Sequence, residues 1–367
     1  MVFRKKRTIL LASVAVLLLL SILDVAFRKE ELFEAFGDQF LNNPRTEAYV
    51  KAHQEAEATA ERQLEWKRQD LGDVKLTSAR GRIAVKRSPD DTIRLHYTVA
   101  ASAKDKETAE RKLEAVKVEE RTADGRLSLA ATANGKPVDD GSVKLGYVLH
   151  IPGGMKLSLE SENGFVTVDG VQGDVEIASY SDILELTGVS GYVAVDASYG
   201  SLYLSGIKGG LDYKNRYGEA TIEDVEGAIA LMSRTGYTHL TGIAGSIAAD
   251  AESGSLHLRD TTGPVRIVGR GTALQLEQIQ GDIDVSTDSG DATFILPEAE
   301  GYALSASAQN GAIRTSLPFP VEPAADDSGK SLLEGVIGTG RWSIDVQAVS
   351  ADIILHAKPS LQQADHK

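Results

Sequence analysis

The chain is 367 residues long, 42% hydrophobic and 25% charged, with a formal net charge of −14 and no cysteine. That apolar fraction excludes wholesale disorder, and the missing thiol excludes disulfides, thiol catalysis and a lipoprotein anchor. The acidic balance excludes general nucleic-acid binding, which needs clustered Lys and Arg, so no nucleic-acid partner is expected.

Residues 1–27, "MVFRKKRTILLASVAVLLLLSILDVAF", place Arg4, Lys5, Lys6 and Arg7 before an apolar run from Thr8 to Phe27. The run is about long enough to span a bilayer, and the basic cluster predicts a cytoplasmic N-terminus. A cleaved signal peptide is the alternative, but Asp24 spoils the small-residue exit before Ala26. We therefore expect a transmembrane signal-anchor, a single pass through the cell membrane, and an extracytoplasmic β domain.

Residues 28–71 read as a helical juxtamembrane stalk. Asn43 and Pro44 make a helix start, and the segment that follows is rich in Ala, Glu, Gln, Lys and Arg without a breaker. It lacks the sustained apolar heptad of a coiled coil. Residues 72–163 turn to short alternating runs and read as an irregular β lead-in and N-terminal cap. Within it, "KDKETAERKLEAV" is expected to be a short helix and "VKVEERTADGRLSLAA" a hairpin about Asp124-Gly125.

Residues 164–296 keep an 18-residue clock. Gly173, Gly191, Gly209, Gly227, Gly245, Gly263 and Gly281 mark it, and half a period later Gly200, Gly218, Gly236, Gly254 and Gly290 recur, with Asp182 and Thr272 departing. Between the glycines, apolar residues alternate: Val193 and Val195, then Leu202 and Leu204, with equivalents in every repeat. Thr238 alone breaks that rule. Such alternation is a strand with one buried face, and a unit this short must stack on its neighbours, about 4.8 Å apart, to bury it. The expected fold is all-β: a two-sheeted β-solenoid with 18-residue coils of two near-equal halves, preceded by a transmembrane helix and a helical stalk. Residues 297–358 would form a C-terminal β cap, since open strand edges need covering, and 359–367 a tail.

Stacking makes residues 18 apart neighbours, so outward columns are where function belongs. One column brings His239 beside His257. Two nitrogens fall short of the three or four ligands that a metal site needs, so the pair reads first as a surface ladder and second as a metal pair. Another column runs Tyr180, Ser198, Arg216, Arg234, Glu252, Arg270, Asp288, with Tyr199 and Tyr217 one residue further on. Tyr and Arg favour partner contacts, which makes Tyr199, Arg216, Tyr217 and Arg234 a candidate binding ridge; a solvated mixed-charge edge is the plain alternative. "SGKS" lacks the leading glycine of a phosphate loop, Ala324 standing there, and "GVIGTGRW" runs into a strand instead of a helix. No column gathers the carboxylates of a glycan-cleaving groove. No catalytic residue, cofactor or metal is assigned.

The segments "VxGDVEI", "GSLYL" and "QGDIDV", with "QNGAIRTSLPF" and the closing "GVIGTGRWSIDVQAVSADIIL", resemble a bacterial family of β-strand-repeat envelope proteins of unknown function labelled "putative adhesin". The resemblance runs from about Gly72 to Lys358. It implies a cell-envelope β-repeat protein and transfers no catalytic set; at the last turn Ser350-Ala351-Asp352 stands where the family often has glycine before the acid. The leading expectation is a membrane-anchored, non-enzymatic interaction or adhesion module. Its partners would be the cytoplasmic membrane, through the N-terminal helix, and an envelope protein or cell-wall glycan. The alternatives are an envelope-stress sensor relaying ligand occupancy to a membrane partner, and a polysaccharide-active enzyme.

Overall fold

The structure, a computed structural model, describes residues 56–138, 141–296, 301–317, 324–325 and 329–357. The expected anchor (1–27), most of the expected stalk and the tail lie outside them. Among the described residues no helix is long and apolar enough to cross a membrane. Two compact units divide the chain. The smaller one contains, of the described residues, only 56–57 and 102–109, where Asp105 caps a helix by accepting from the Thr108 N–H at 2.8 Å. The larger unit, 58–101 with 110 onward, holds the repeats.

Strands come in chain order as β1 (Ala56–Lys67), β2 (Asp73–Arg87) and β3 (Thr92–Ala103), then helix α1 (Lys106–Ala115). The cap continues with β4 (Val116–Ala123), β5 (Arg126–Ala133), β6 (Lys136–Pro137) and β7 (Val143–Ile151). The helix and the β4–β5 hairpin are where the sequence places them, with Asp124 and Gly125 both at positive φ as a tight hairpin turn requires.

Residues 56–67 correct the stalk. They are a β-strand in which Ala58, Ala60, Arg62, Leu64 and Trp66 turn inward and the residues between them outward. Ala, Glu, Gln and Lys favour helix when nothing else acts. Here the period-two pattern lets Leu64 and Trp66 pack on the core, and the Trp66 Nε1–H donates to Glu120 at 2.7 Å, so tertiary burial overrides propensity.

The coils are β8 (Lys156–Asp169), β9 (Val175–Thr187), β10 (Val193–Lys208), β11 (Leu211–Glu226), β12 (Ile229–Ala244), β13 (Ile247–Thr262) and β14 (Val265–Gln280). Each pairs in parallel with the next. From β9 onward the register is 18 residues, Val193 facing Leu211 and Leu202 facing Ala220. β2 belongs to the same stack: it runs unbroken through Gly81 and lies parallel to β8, Val74 opposite Leu157. The intervening segment returns as the cap, with β5 and β7 covering the other edge of β2.

The expected pair of sheets is one continuous sheet, because strands run through the corners and the ladder resumes beyond each. Nor are there two near-equal halves. After Ser205 comes a third, short side, where Ile207 faces Val225 and Lys208 faces Glu226. The corner before it is a left-handed residue in every coil: Gly170, Gly188, Gly206, Asp224, Gly242, Asp260 and Gln278, with φ between 52° and 69°. Inside that side stands a column of its own at 18-residue spacing: Val171, Val189, Ile207, Val225, Ile243, Thr261 and Ile279, all buried. With the four expected inward columns it fills a single core, each buried Val, Leu or Ile contributing roughly 1.5 to 3 kcal/mol gross.

The two departures from corner glycine also find their reason. Asp182 is buried and accepts from Ser161 Oγ at 2.9 Å and Ser179 Oγ at 2.6 Å, while Thr272 Oγ1 donates to the Ala251 carbonyl at 3.0 Å. Both side chains turn into the corner, so its polar groups are satisfied without glycine.

At the far end, β15 (Ile283–Ser289) and β16 (Ala292–Leu296) make the next coil; then come β17 (Gly301–Ala308), β18 (Ile313–Thr315), β19 (Ala324–Ala325), β20 (Ser331–Gly338), β21 (Trp342–Ser350) and β22 (Ile353–Ala357). Spatial order departs from chain order. β21 lies parallel between β15 and β17, and β22 between β16 and β18, so the last strands occupy a slot between segments laid down earlier. β20 then covers β17 antiparallel.

Candidate functional site

The predicted ridge forms at the corner between the first and second sides of β9 to β12. Tyr180 meets Tyr199 edge-on, ring centroids 5.3 Å apart, and Tyr199 stacks on Tyr217 at 5.2 Å with an interplanar angle of 11°. All three are exposed, Tyr180 by 58%. The coil register holds them in this order, and rings fixed against each other lose little entropy when a partner docks.

Arg216 and Arg234 share a polar groove of about 480 Å³ beside the tyrosines, lined also by Asp196, Lys214, Asp250, Glu252 and Arg270. The two arginines differ. Arg234 Nε lies 3.4 Å from Glu252, which also pairs with Arg270 at 3.5 Å, and Arg270 forks onto Asp250 at 2.9 and 3.3 Å. Arg216 has no ion pair or hydrogen bond to any described residue. Its guanidinium is therefore the one ridge cation ready to meet an external acceptor without breaking a contact.

Residues 67–356 match the Toastrack DUF4097 family. The chain belongs to that family. No curated protein matches it. Among solved structures, it is similar to one titled a putative cell adhesion protein from Clostridium sporogenes, at 11% identity over 82% of this chain and 100% of that one, TM-score 0.22. It is similar also to a putative adhesin from Parabacteroides distasonis (14%, 63% and 97%, TM-score 0.25) and another from Bacteroides fragilis (12%, 81% and 97%, TM-score 0.25). Likeness at these levels carries no functional argument.

In this Toastrack chain the histidine pair also forms. His239 and His257 are register partners with ring centroids 4.6 Å apart, edge to face. Each ring is engaged differently: His239 Nε2 lies 2.9 Å from Thr241 Oγ1, whereas His257 Nε2 is buried without a hydrogen bond, 3.8 Å from Glu277. Among the described residues no three His, Cys, Asp or Glu side chains converge as a metal centre.

Burial, then the neighbouring His239, hold the His257 imidazole below the ordinary histidine range, Glu277 pulling weakly the other way. An imidazole whose folded pKa is depressed costs stability as pH falls through its unfolded value, because the unfolded chain then binds the extra proton. Melting temperature should therefore fall below about pH 6.5, and His257→Gln should flatten part of that fall in a pH series of thermal melts. A fall of the same size in the variant would assign the acid sensitivity elsewhere.

Sequence reading missed the third-side column and the polar inward corner column of Ser161, Ser179, Asn215, Ser233 and Thr287, all buried. The first recurs every 18 residues; the second occupies an 18-residue position that Ala197, Ala251 and Gly269 fill in the other coils. The third side has one inward residue and no alternation around it, while the corner column extends the first side's alternation by one step but is polar, so neither shows in the apolar pattern.

Proposed function

We propose that the chain is a non-enzymatic interaction module of the cell envelope, an adhesion or scaffolding element held to the cytoplasmic membrane by its N-terminal segment, with the β domain outside. One observation carries this reading: a ladder of exposed, mutually stacked tyrosines lies beside the unpaired Arg216 on a backbone fixed by coil stacking. Tyrosine faces and edges with a free guanidinium suit a cell-wall glycan or an envelope protein bearing a carboxylate. The ion-paired remainder of the groove would act as its rim.

The test is retention of the purified protein on isolated cell-envelope fractions, with wild type compared to an Arg216→Ala, Tyr217→Ala double variant. The reading expects at least about tenfold weaker retention for the variant, the scale of losing two central contacts. Equal retention of both proteins would remove the ridge from the function, and cleavage of any glycan in the fraction would remove the non-enzymatic assignment.

A further inference from the structure

A second concavity adjoins the arginine groove, with Asp196 lining both, where the N-terminal cap meets the corner of the first coils. It encloses about 490 Å³. Its apolar lining comes from Ala79 and Ala178 of the coils and from Ala130, Ala131, Val138 and Leu145 of the cap. Small residues on both sides keep the cleft open where larger side chains would fill it.

At its inner side stands Tyr147, only 1% exposed, whose buried hydroxyl has Ser78 as its polar neighbour in a contact that falls short of full hydrogen-bond geometry. Ser78 gives its own proton to the Arg80 carbonyl at 2.9 Å. A buried phenol without a well-formed hydrogen bond is destabilising, and a ligand acceptor that reached it would relieve that cost. Burial pushes the Tyr147 phenol up to about 12, which keeps it a neutral donor at any physiological pH.

The mouth carries the opposite character. Glu160 is already taken by Lys75 at 2.6 Å and Thr77 at 3.1 Å. Glu162 and Asp196, also at the mouth, make no ion pair or hydrogen bond with any described residue. Lys214, the register partner of Asp196, directs its ammonium to Asp212 at 3.4 Å instead. Tyr180 stands exposed at the same rim, its ring able to sit against a cation.

Two free carboxylates outside, apolar walls between, and one unanswered donor within define a ligand by complementarity. We propose that this cleft binds an alkylammonium whose stem ends in a hydrogen-bond acceptor: Glu162 and Asp196 take the ammonium, the alanine walls the stem, and the Tyr147 hydroxyl the acceptor. An α-N-acylated lysine with its side-chain ammonium free, or a short mono-acylated diamine, has this shape. The cleft shares Asp196 with the arginine groove and Tyr180 with the tyrosine ladder, and the rest of its lining is its own.

The test uses the full-length protein in ligand-observed NMR titrations with three related probes. N-acetylcadaverine has ammonium, stem and acceptor; hexylammonium lacks the acceptor; N-pentylacetamide lacks the charge. N-acetylcadaverine should bind saturably, and each control about fivefold or more weaker, as expected when a buried donor or a carboxylate pair is left unanswered. A Glu162→Gln, Asp196→Asn double variant should weaken N-acetylcadaverine by a similar factor and leave N-pentylacetamide unchanged. Tyr147→Phe should erase the difference between N-acetylcadaverine and hexylammonium while melting no lower than wild type, since the hydroxyl it deletes makes no well-formed hydrogen bond. The proposal is overturned if no probe binds a protein that melts cooperatively, if the three bind alike, or if the carboxamide variant binds N-acetylcadaverine as well as wild type does.

Discussion

Gly254→Ala should destabilise the solenoid by on the order of 4 kcal/mol, among the largest effects of a single methyl added at any described glycine. Two costs act together. Gly254 sits at φ +105°, where a residue with a Cβ is strained, and an added Cβ would lie inside the van der Waals envelope of the Gly236 carbonyl oxygen in the preceding coil. That oxygen belongs to backbone fixed by ladders on both sides, so it cannot step aside. Gly72→Ala is the control, because nothing lies within 4 Å of the added carbon. Chemical denaturation of both variants would check the claim: the first should lose much of its midpoint and the second stay close to wild type. A Gly254→Ala protein as stable as wild type would mean that the corner can relax, and the glycine clock would need another cause.

That clock is also why so much of the fold is legible in the residues. Alternation of Val193, Val195, Leu202 and Leu204 reports two inward faces because each face needs at least two residues to show a period. The third side offers only Ile207 and its equivalents, so its burial emerges only when residues 18 apart are compared position by position. Asp182 and Thr272 look like defects in a glycine column until their side-chain hydrogen bonds into the corner are seen. Residues 56–67 mislead for a different reason. Helix-forming composition and strand periodicity coincide in "AEATAERQLEWK", and only contact with the core decides between them.

The candidate sites divide along the same line. Tyr199, Arg216, Tyr217 and Arg234 were visible as a column because the repeat itself brings them together. What the column does not reveal is that Arg234 is tied to Glu252 and Arg216 is not, since that depends on side-chain reach across the corner. The cleft under the cap was invisible. It needs residues of β5 and β7 to fold back over β2, β8 and β9, and the insertion that carries them has no period to read.

Ending the chain at residue 341 should convert the protein into oligomers. The strands lost, β21 and β22, are internal to the sheet although last in the chain, pairing β15 and β16 on one side and β17 and β18 on the other. Their removal takes Ile344, Val346, Ile353 and Leu355 out of the core and opens two parallel edges at once. An open, flat edge with apolar inward residues is a template for a second chain, most simply another copy with the same edge. Coils that touch only their neighbours should survive, so β8 to β14 and the N-terminal cap should stay protected while β17 to β20 become open to protease. Size-exclusion chromatography with light scattering would read the assembly state, and limited proteolysis the protected boundary. A monomeric product with β17 to β20 still protected would show that the outer strands can close onto β15 and β16 themselves, and that the slot filled by the chain end is a convenience of folding order instead of a requirement of the finished sheet.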